Sequence, residues 1–199
     1  MTPPPWRLIG RGLLALYAPA YRHPPGALML VRYAASPVGP YDELLWLEWA
    51  SGLLRGRPVV RNIVVSSEDS VFWGRHNWAL PKRLASFEWP TPTQVRVRTP
   101  GGSPLATLDF SAVSWSMHAH LELVPRYLRT VAQPALDGPG RVDTVVGGTA
   151  WLGPARLLHA DLGGLTNALR GRAPIATLHV PEFALVFPAG TWRLPREKA

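Results

Sequence analysis

The chain of 199 residues carries 21 Lys and Arg against 13 Asp and Glu, a formal charge of +8, and is 47% apolar, enough for one core in a single domain spanning 1–199. The absence of cysteine excludes disulfides, thiolate zinc sites and cysteine nucleophiles. The arginines stand singly, the densest groupings being Arg55/Arg57 and Arg96/Arg98, so the charge does not form the clustered basic surface that phosphate binding requires, and nucleic acid is not expected as a partner.

Arg7, Arg11, the apolar run from Leu13 to Tyr17 and Ala18-Pro19-Ala20 imitate a signal peptide, but the run is short and Pro19 interrupts it. No later stretch approaches the roughly 18 apolar residues of a membrane span, so no membrane contact and a cytoplasmic location are expected. Gly12 to Tyr17 reads as a first strand, and the continuous apolar run Ala27 to Ala34 as a buried one. Ser36-Pro37-Val38-Gly39-Pro40-Tyr41 reads as a tight turn. Glu43 to Leu54 fits helix or strand by period; its tryptophans and the flanking turns favour strand. Pro58 to Val65 is a β-branched strand. Ser66 or Ser67 then offers an N-cap, with Glu68 and Asp69 in the first turn, for a short helix to about Trp78 that Pro81 terminates.

Strands follow at Ala85 to Trp89, Gln94 to Thr99 and Leu105 to Ala112, the last two joined by the hairpin signal Pro100-Gly101-Gly102-Ser103. Met117 to Leu128 is open between helix and strand. Further strands are expected at Val142 to Trp151, Ala155 to His159 and Ile175 to Phe187, with a short helix around Leu165 to Leu169. Many short strands, Gly/Pro punctuation and no βαβ alternation predict a mainly β fold, an antiparallel barrel or sandwich with one or two short helices. There is no phosphate loop, no GxSxG and no internal repeat.

Only two of the 21 basic residues are lysines, Lys82 and the penultimate Lys198. A lysine kept in an arginine-writing chain invites a chemical reason, because an amine can shed its proton and form an imine with a carbonyl, which a guanidinium cannot. Trp73, Trp78, Leu80 and Pro81 around Lys82, and Arg83 beside it, are surroundings that lower an amine's pKa. The plainer alternative is a solvated loop lysine after a proline. His118 and His120 stand two apart without a third ligand at matching spacing, so no metal is expected.

Three segments, in order, resemble the acetoacetate decarboxylase family. Gly39-Pro40-Tyr41-Asp42-Glu43 is similar to its Gly-x-Tyr-x-Glu turn. Gly74-Arg75 followed by Pro81-Lys82-Arg83-Leu84 is similar to its Gly-Arg and Pro-Lys-Lys-Leu block. Trp151-Leu152-Gly153-Pro154-Ala155-Arg156-Leu157 is similar to its Trp-x-Gly-Pro-x-Arg-Leu segment. The resemblance implies a cone-shaped antiparallel β-barrel with its lysine inside, Lys82 as the Schiff-base nucleophile acting on a small 2-oxo or 3-oxo acid, no cofactor, and assembly into homo-oligomers. It makes Glu43 the proton carrier, Arg83 the second cation of the pair and Tyr41 a pocket residue. Desolvation by Trp73 and Trp78 is expected to lower the Lys82 pKa more than Arg83 does, because neighbours on an extended chain point to opposite sides.

His76 is a candidate pocket group, Arg75 an ion-pair partner, and Trp151 and Arg156 braces of the barrel. Counted without gaps from Glu43, the family's second acidic pocket position is Leu28 here. The arginine that helps hold the substrate carboxylate in that family has no aligned counterpart, Arg7 and Arg11 being the candidates. These departures keep open an alternative function, a non-catalytic barrel that binds a small acid or serves as an assembly module.

Overall fold

The computed structural model describes residues 2–20, 23–50 and 56–194. The chain opens with four long strands, β1 (Trp6–Tyr17), β2 (Gly26–Ala35), β3 (Tyr41–Ala50) and β4 (Arg57–Val65), each antiparallel to the one before. The β2–β3 turn is set by Ser36, whose carbonyl accepts from Gly39 N–H and whose hydroxyl accepts from Val38 N–H; Gly39 sits at φ 82°, where a side chain would be strained. Helix α1 (Glu68–Trp78) follows, then β5 (Lys82–Leu84), which pairs in parallel with β4. Beyond it come β6 (Ser86–Thr91), β7 (Gln94–Arg98), β8 (Pro104–Ala112), β9 (Met117–His120), β10 (Thr130–Pro134), β11 (Arg141–Val145), β12 (Gly147–Asp161), β13 (Ala176–Phe187) and β14 (Thr191–Arg193).

Ten strands form one curled sheet in the order β5-β4-β3-β2-β1-β13-β12-β8-β7-β6, with β9 added on β12, and β10-β11-β14 form a second, small sheet. The fold is thus the mainly β, curled barrel-like architecture expected from the sequence. The ring is not closed by hydrogen bonds: β5 and β6 stand at opposite ends of the ladder and are joined through Ala85, whose N–H donates to the Val65 carbonyl.

Because side chains alternate across a strand, and β2 to β4 are buried on both faces, the sheet carries two cores. On one face Leu13, Leu28, Leu30, Leu44, Trp46 and Val64 meet Val95, Val97, Leu105 and Leu108 of β7 and β8, which the curl brings over them. On the other, Trp6, Leu8, Val31, Tyr33, Tyr41, Leu45, Ile63 and Val65 meet Trp78 and Leu80 from α1 and the segment that follows it. The small sheet closes on this side too. The Gln133 amide accepts from the Val60 N–H and donates to the Val60 carbonyl, supplying the strand partner that short β5 does not reach.

Several expected boundaries move for identifiable reasons. The first strand begins at Trp6, because a register shift between Gly10 and Gly12 masks its alternation. The single strand expected over Val142–Trp151 is two, β11 and β12, in different sheets, broken at Val146, whose N–H turns to the Arg129 carbonyl. The segment Ala155–His159 is the continuation of β12 through Gly153-Pro154. β10 and β14 were not expected, and the helix expected at Leu165–Leu169 is a single 3-10 turn, Asn167–Leu169. Met117–Leu128 resolves into β9 and two short 3-10 turns. Leu53 and Leu54, at the end of the strand expected from Glu43, lie outside the described residues. No helix among the described residues is long and apolar enough to cross a membrane.

Candidate active site

Lys82 opens β5 and faces the second core with 4% of its surface exposed. Helix α1 positions it. The Ser67 hydroxyl caps the helix by accepting from Ser70 N–H at 3.2 Å, which fixes the first turn and, on one face at i, i+4 and i+8, buries Ser70, Gly74 and Trp78. After Trp78 the chain turns sharply. Ala79 is left-handed at φ 53°, its N–H donates to the Arg75 carbonyl, and Leu80 N–H donates to the Gly74 carbonyl. That reversal sends β5 back along β4, with Lys82 opposite Ile63.

The aliphatic stem of Lys82 passes over Gly74. A Cβ there would stand 2.6 Å from Lys82 Cδ and 2.8 Å from Cε, so only glycine lets the stem through. Gly74→Ala should gain about 1 kcal/mol of helix propensity and lose about 1–3 kcal/mol to overpacking, a small net change in stability. Its larger effect should be on reactivity, since misplacing Nζ by about 1 Å can cost up to about 100-fold in rate. Urea denaturation, alongside the rate at which cyanoborohydride fixes a small carbonyl compound on Lys82, checks both; an unchanged rate would contradict this role for Gly74.

Lys82 Nζ donates to Glu43 Oε2 at 2.8 Å and to Ser70 Oγ at 2.9 Å, and lies 5.2 Å from the centroid of the Tyr41 ring. Glu43 and Tyr41 share a face of β3 two residues apart. Tyr33, directly opposite Tyr41 on β2, donates its hydroxyl to Glu43 Oε1 at 3.0 Å. Trp6, Leu8, Trp78, Leu80 and Phe187 wall a cavity of about 40 Å³ over this polar floor. That is a small space, though above the roughly 10–15 Å³ that one water needs.

Burial pulls the Lys82 pKa down and is the largest single influence, but the Glu43 carboxylate and Tyr41 together outweigh it and leave the amine above its ordinary value. This reverses the lowered pKa expected from the sequence, which could not see the carboxylate across the sheet. The Tyr33 phenol is pushed well up by burial and then by Glu43, and Tyr41 is pushed up by burial against the opposing pull of Lys82. Both phenols therefore keep their protons at neutral pH.

Other sequence candidates fall elsewhere. Arg83 is exposed on the opposite face of β5, as alternation requires, and does not act on Lys82. Leu28 is on the opposite face of β2 from Val31, the partner of Glu43, and belongs to the other core. The gap-free count crossed from one face to the other. Trp73 packs half-buried at the margin of the second core, against Phe72 and His76, and does not line the cavity; His76 is exposed and stacked on Phe72. Arg75 is exposed and makes no ion pair among the described residues; its Nη1 reaches the Lys82 carbonyl at 3.4 Å. Trp151, 42% exposed against His118, and exposed Arg156 point outward from β12 and brace no core.

His118 and His120 are exposed neighbours, and among the described residues no group of three or more His, Asp or Glu could hold a metal ion. A larger cavity of about 590 Å³, lined by Tyr17, Asp161, Asn167 and Arg172 among others, lies at the other end of β1 from Trp6, roughly 30 Å away along the strand. No lysine lines it.

Ser70, Tyr33, Trp6 and Phe187 are site residues that the sequence reading missed. Two carried a signal. Ser70 precedes Gly74 by one helical turn, and the turn at Ser36–Gly39 sets a register that places Tyr33 opposite Tyr41.

No protein-family model and no curated protein matches the sequence. Solved structures do. The enduracididine biosynthesis enzyme MppR superposes with a TM-score of 0.68 at 15% identity, covering 98% of this chain and 89% of that one. Acetoacetate decarboxylase from Legionella pneumophila gives 0.65 at 16%, with 98% and 90% covered. An acetoacetate decarboxylase-like enzyme from Sphingomonas wittichii gives 0.59 at 13%, with 95% and 93% covered. At these identities the likeness establishes the fold, an acetoacetate decarboxylase-like one over nearly the whole chain.

Proposed function

We propose that this acetoacetate decarboxylase-like chain is an imine-forming lyase, with Lys82 as nucleophile and Glu43 as proton carrier. The observation that carries the proposal is a buried lysine whose Nζ lies 2.8 Å from a buried carboxylate at the floor of an apolar cavity. In the resting state the pair is an ammonium and a carboxylate. Lys82 hands one proton to Glu43 Oε2, and the amine attacks the carbonyl carbon, forming a C–N bond as the C=O π bond breaks. A proton moves from nitrogen to oxygen to give the carbinolamine. Glu43 returns its proton to the hydroxyl, water leaves, and an iminium remains on Lys82 beside the carboxylate.

The iminium draws electrons from the adjacent carbon, which makes loss of CO2, of an α-proton or of an aldol fragment accessible. The scheme uses no metal or organic cofactor. Tyr33 orients Glu43 through Oε1, leaving Oε2 for the proton transfer, and Ser70 holds Nζ from the other side. Small 2-oxo and 3-oxo acids are the class that the sequence resemblance suggests, and MppR, on the same fold, has been solved with pyruvate.

A second reading is favoured by the raised pKa of Lys82 and the small cavity: the pair is a structural ion pair in a barrel without catalysis. Reduction with cyanoborohydride in the presence of acetoacetate, pyruvate and longer oxo acids and ketones separates the two. A stable adduct mapped to Lys82 and lost in Lys82→Arg is expected. Adducts confined to Lys198 and the N-terminus across the panel and across pH would leave the structural pair as the answer.

A further inference from the structure

The charges around the cavity limit what can react in it. Among the described residues that line it, the sole cation is Lys82 and the sole anion is Glu43, and they already neutralise each other. The arginines nearest in sequence all look away. Arg32, beside Tyr33, turns to an ion pair with Asp42 at 3.1 Å and to the Trp89 ring on the other face of the sheet. Arg7 is exposed and alternates with buried Trp6 and Leu8, which face the cavity from β1, and Arg11, farther along the strand, is exposed as well. Arg83 is exposed on the far side of β5, and Arg75 is exposed and reaches no farther inward than the Lys82 carbonyl.

A substrate carboxylate entering here has two places to go. It can pair with Lys82, which holds that nitrogen as an ammonium and removes the nucleophile, or it can stand without a cation beside the Glu43 carboxylate in a low-dielectric pocket. An uncharged carbonyl meets neither obstacle. Acetone and propanal are also smaller than pyruvate, which counts in a space of about 40 Å³.

We infer that the carbonyl partner of Lys82 is a small uncharged aldehyde or ketone and not an oxo acid, an assignment of substrate class that rests on the imine reading above. With no carboxylate on the substrate there is no CO2 to lose. The iminium instead gives up an α-proton. The C–H bond breaks, the proton goes to the Glu43 carboxylate, the C–H pair becomes the new C=C π bond, and the C=N π pair withdraws to the nitrogen, giving a neutral enamine. Reprotonation at carbon exchanges hydrogen with solvent. Alternatively the enamine carbon attacks a second aldehyde: a C–C bond forms as that aldehyde's C=O π bond breaks, its oxygen takes the proton held by Glu43, and the nitrogen lone pair restores the iminium, which water hydrolyses to free the aldol and Lys82.

The test compares acetone and propanal with pyruvate on the intact protein, using cyanoborohydride trapping with Nα-acetyl-lysine amide in the same tube, so that the intrinsic reactivity of each carbonyl divides out. Peptide mapping reads the adduct at Lys82 directly. The expected result is that normalised trapping of the neutral compounds exceeds that of pyruvate by about tenfold or more, the ratio expected when one buried charge goes poorly paired. Deuterium from D2O should also enter acetone with wild-type protein and not with Lys82→Met. Pyruvate trapped at Lys82 as well as or better than the neutral compounds would overturn the substrate class while leaving imine chemistry standing. No Lys82 adduct from any of the three would overturn the imine reading and this assignment with it.

Discussion

Glu43→Gln is expected to destabilise the protein by about 3–5 kcal/mol, the range for removing one partner of a buried ion pair and leaving the other charge without compensation. Both partners are buried, with side-chain exposures of 5% and 7%, so solvent screening does little to soften the loss. With its oxygen kept towards Tyr33, the new amide turns its NH2 to the Lys82 donors, so the variant removes the charge and the acceptor of Nζ together. The pH dependence should change sign as well. In the wild type the Lys82 pKa is raised, so its contribution to stability is fully present below the ordinary value of 10.5 and is lost as pH rises through the folded-state pKa above it. Without the carboxylate, burial becomes the leading influence and pulls the pKa below that value, so the variant should gain stability as pH climbs towards it. Urea denaturation over a pH series checks both slopes. The double variant Glu43→Leu/Lys82→Met should recover much of the loss, because an apolar pair of similar volume removes both charges together. A single variant that costs less than about 1 kcal/mol would contradict the buried-pair account.

Trp78→Ala should cost about 3–5 kcal/mol by cavity formation. Trp78 is 3% exposed and ends α1 with its ring edge-on to Trp6 at 5.0 Å and to Phe187 at 5.3 Å. Its indole N–H donates to the Pro188 carbonyl at 2.7 Å. One side chain thus ties the helix to β1, to β13 and to the segment after β13, and alanine would loosen all three contacts. The variant should also admit water to Lys82 and let longer ketones form adducts that the wild type excludes. Chemical denaturation gives the first effect, and trapping yield against ketone length gives the second.

Much of this site could be read from residues and much could not. Lys82 stands out by scarcity, the helix by its Ser67 cap and first-turn acids, and Glu43 and Tyr41 only by the resemblance of Gly39-Pro40-Tyr41-Asp42-Glu43 to a family segment. The two cores on opposite faces of one sheet were not legible, because a strand buried on both faces shows a continuous apolar run and hides which residues look which way. Leu28 was misplaced for that reason. Trp151 and Arg156 were assigned to a brace from a local pattern, when only the pairing of β12 with β13 and β9 decides that Trp151 lies outward against His118. The pKa of Lys82 is a sum over β3, α1 and β5, and no window of sequence contains all three.

Trp6 and Phe187 are register partners across β1 and β13, and both wall the Lys82 cavity. The pocket is therefore closed by the two far ends of the described chain, and during synthesis it cannot form until Phe187 has left the ribosome. Until then a lysine and a glutamate destined for burial remain in water. Contacts of such long sequence separation make for slow folding, so the burial of the Lys82–Glu43 pair is a late event in the life of this chain.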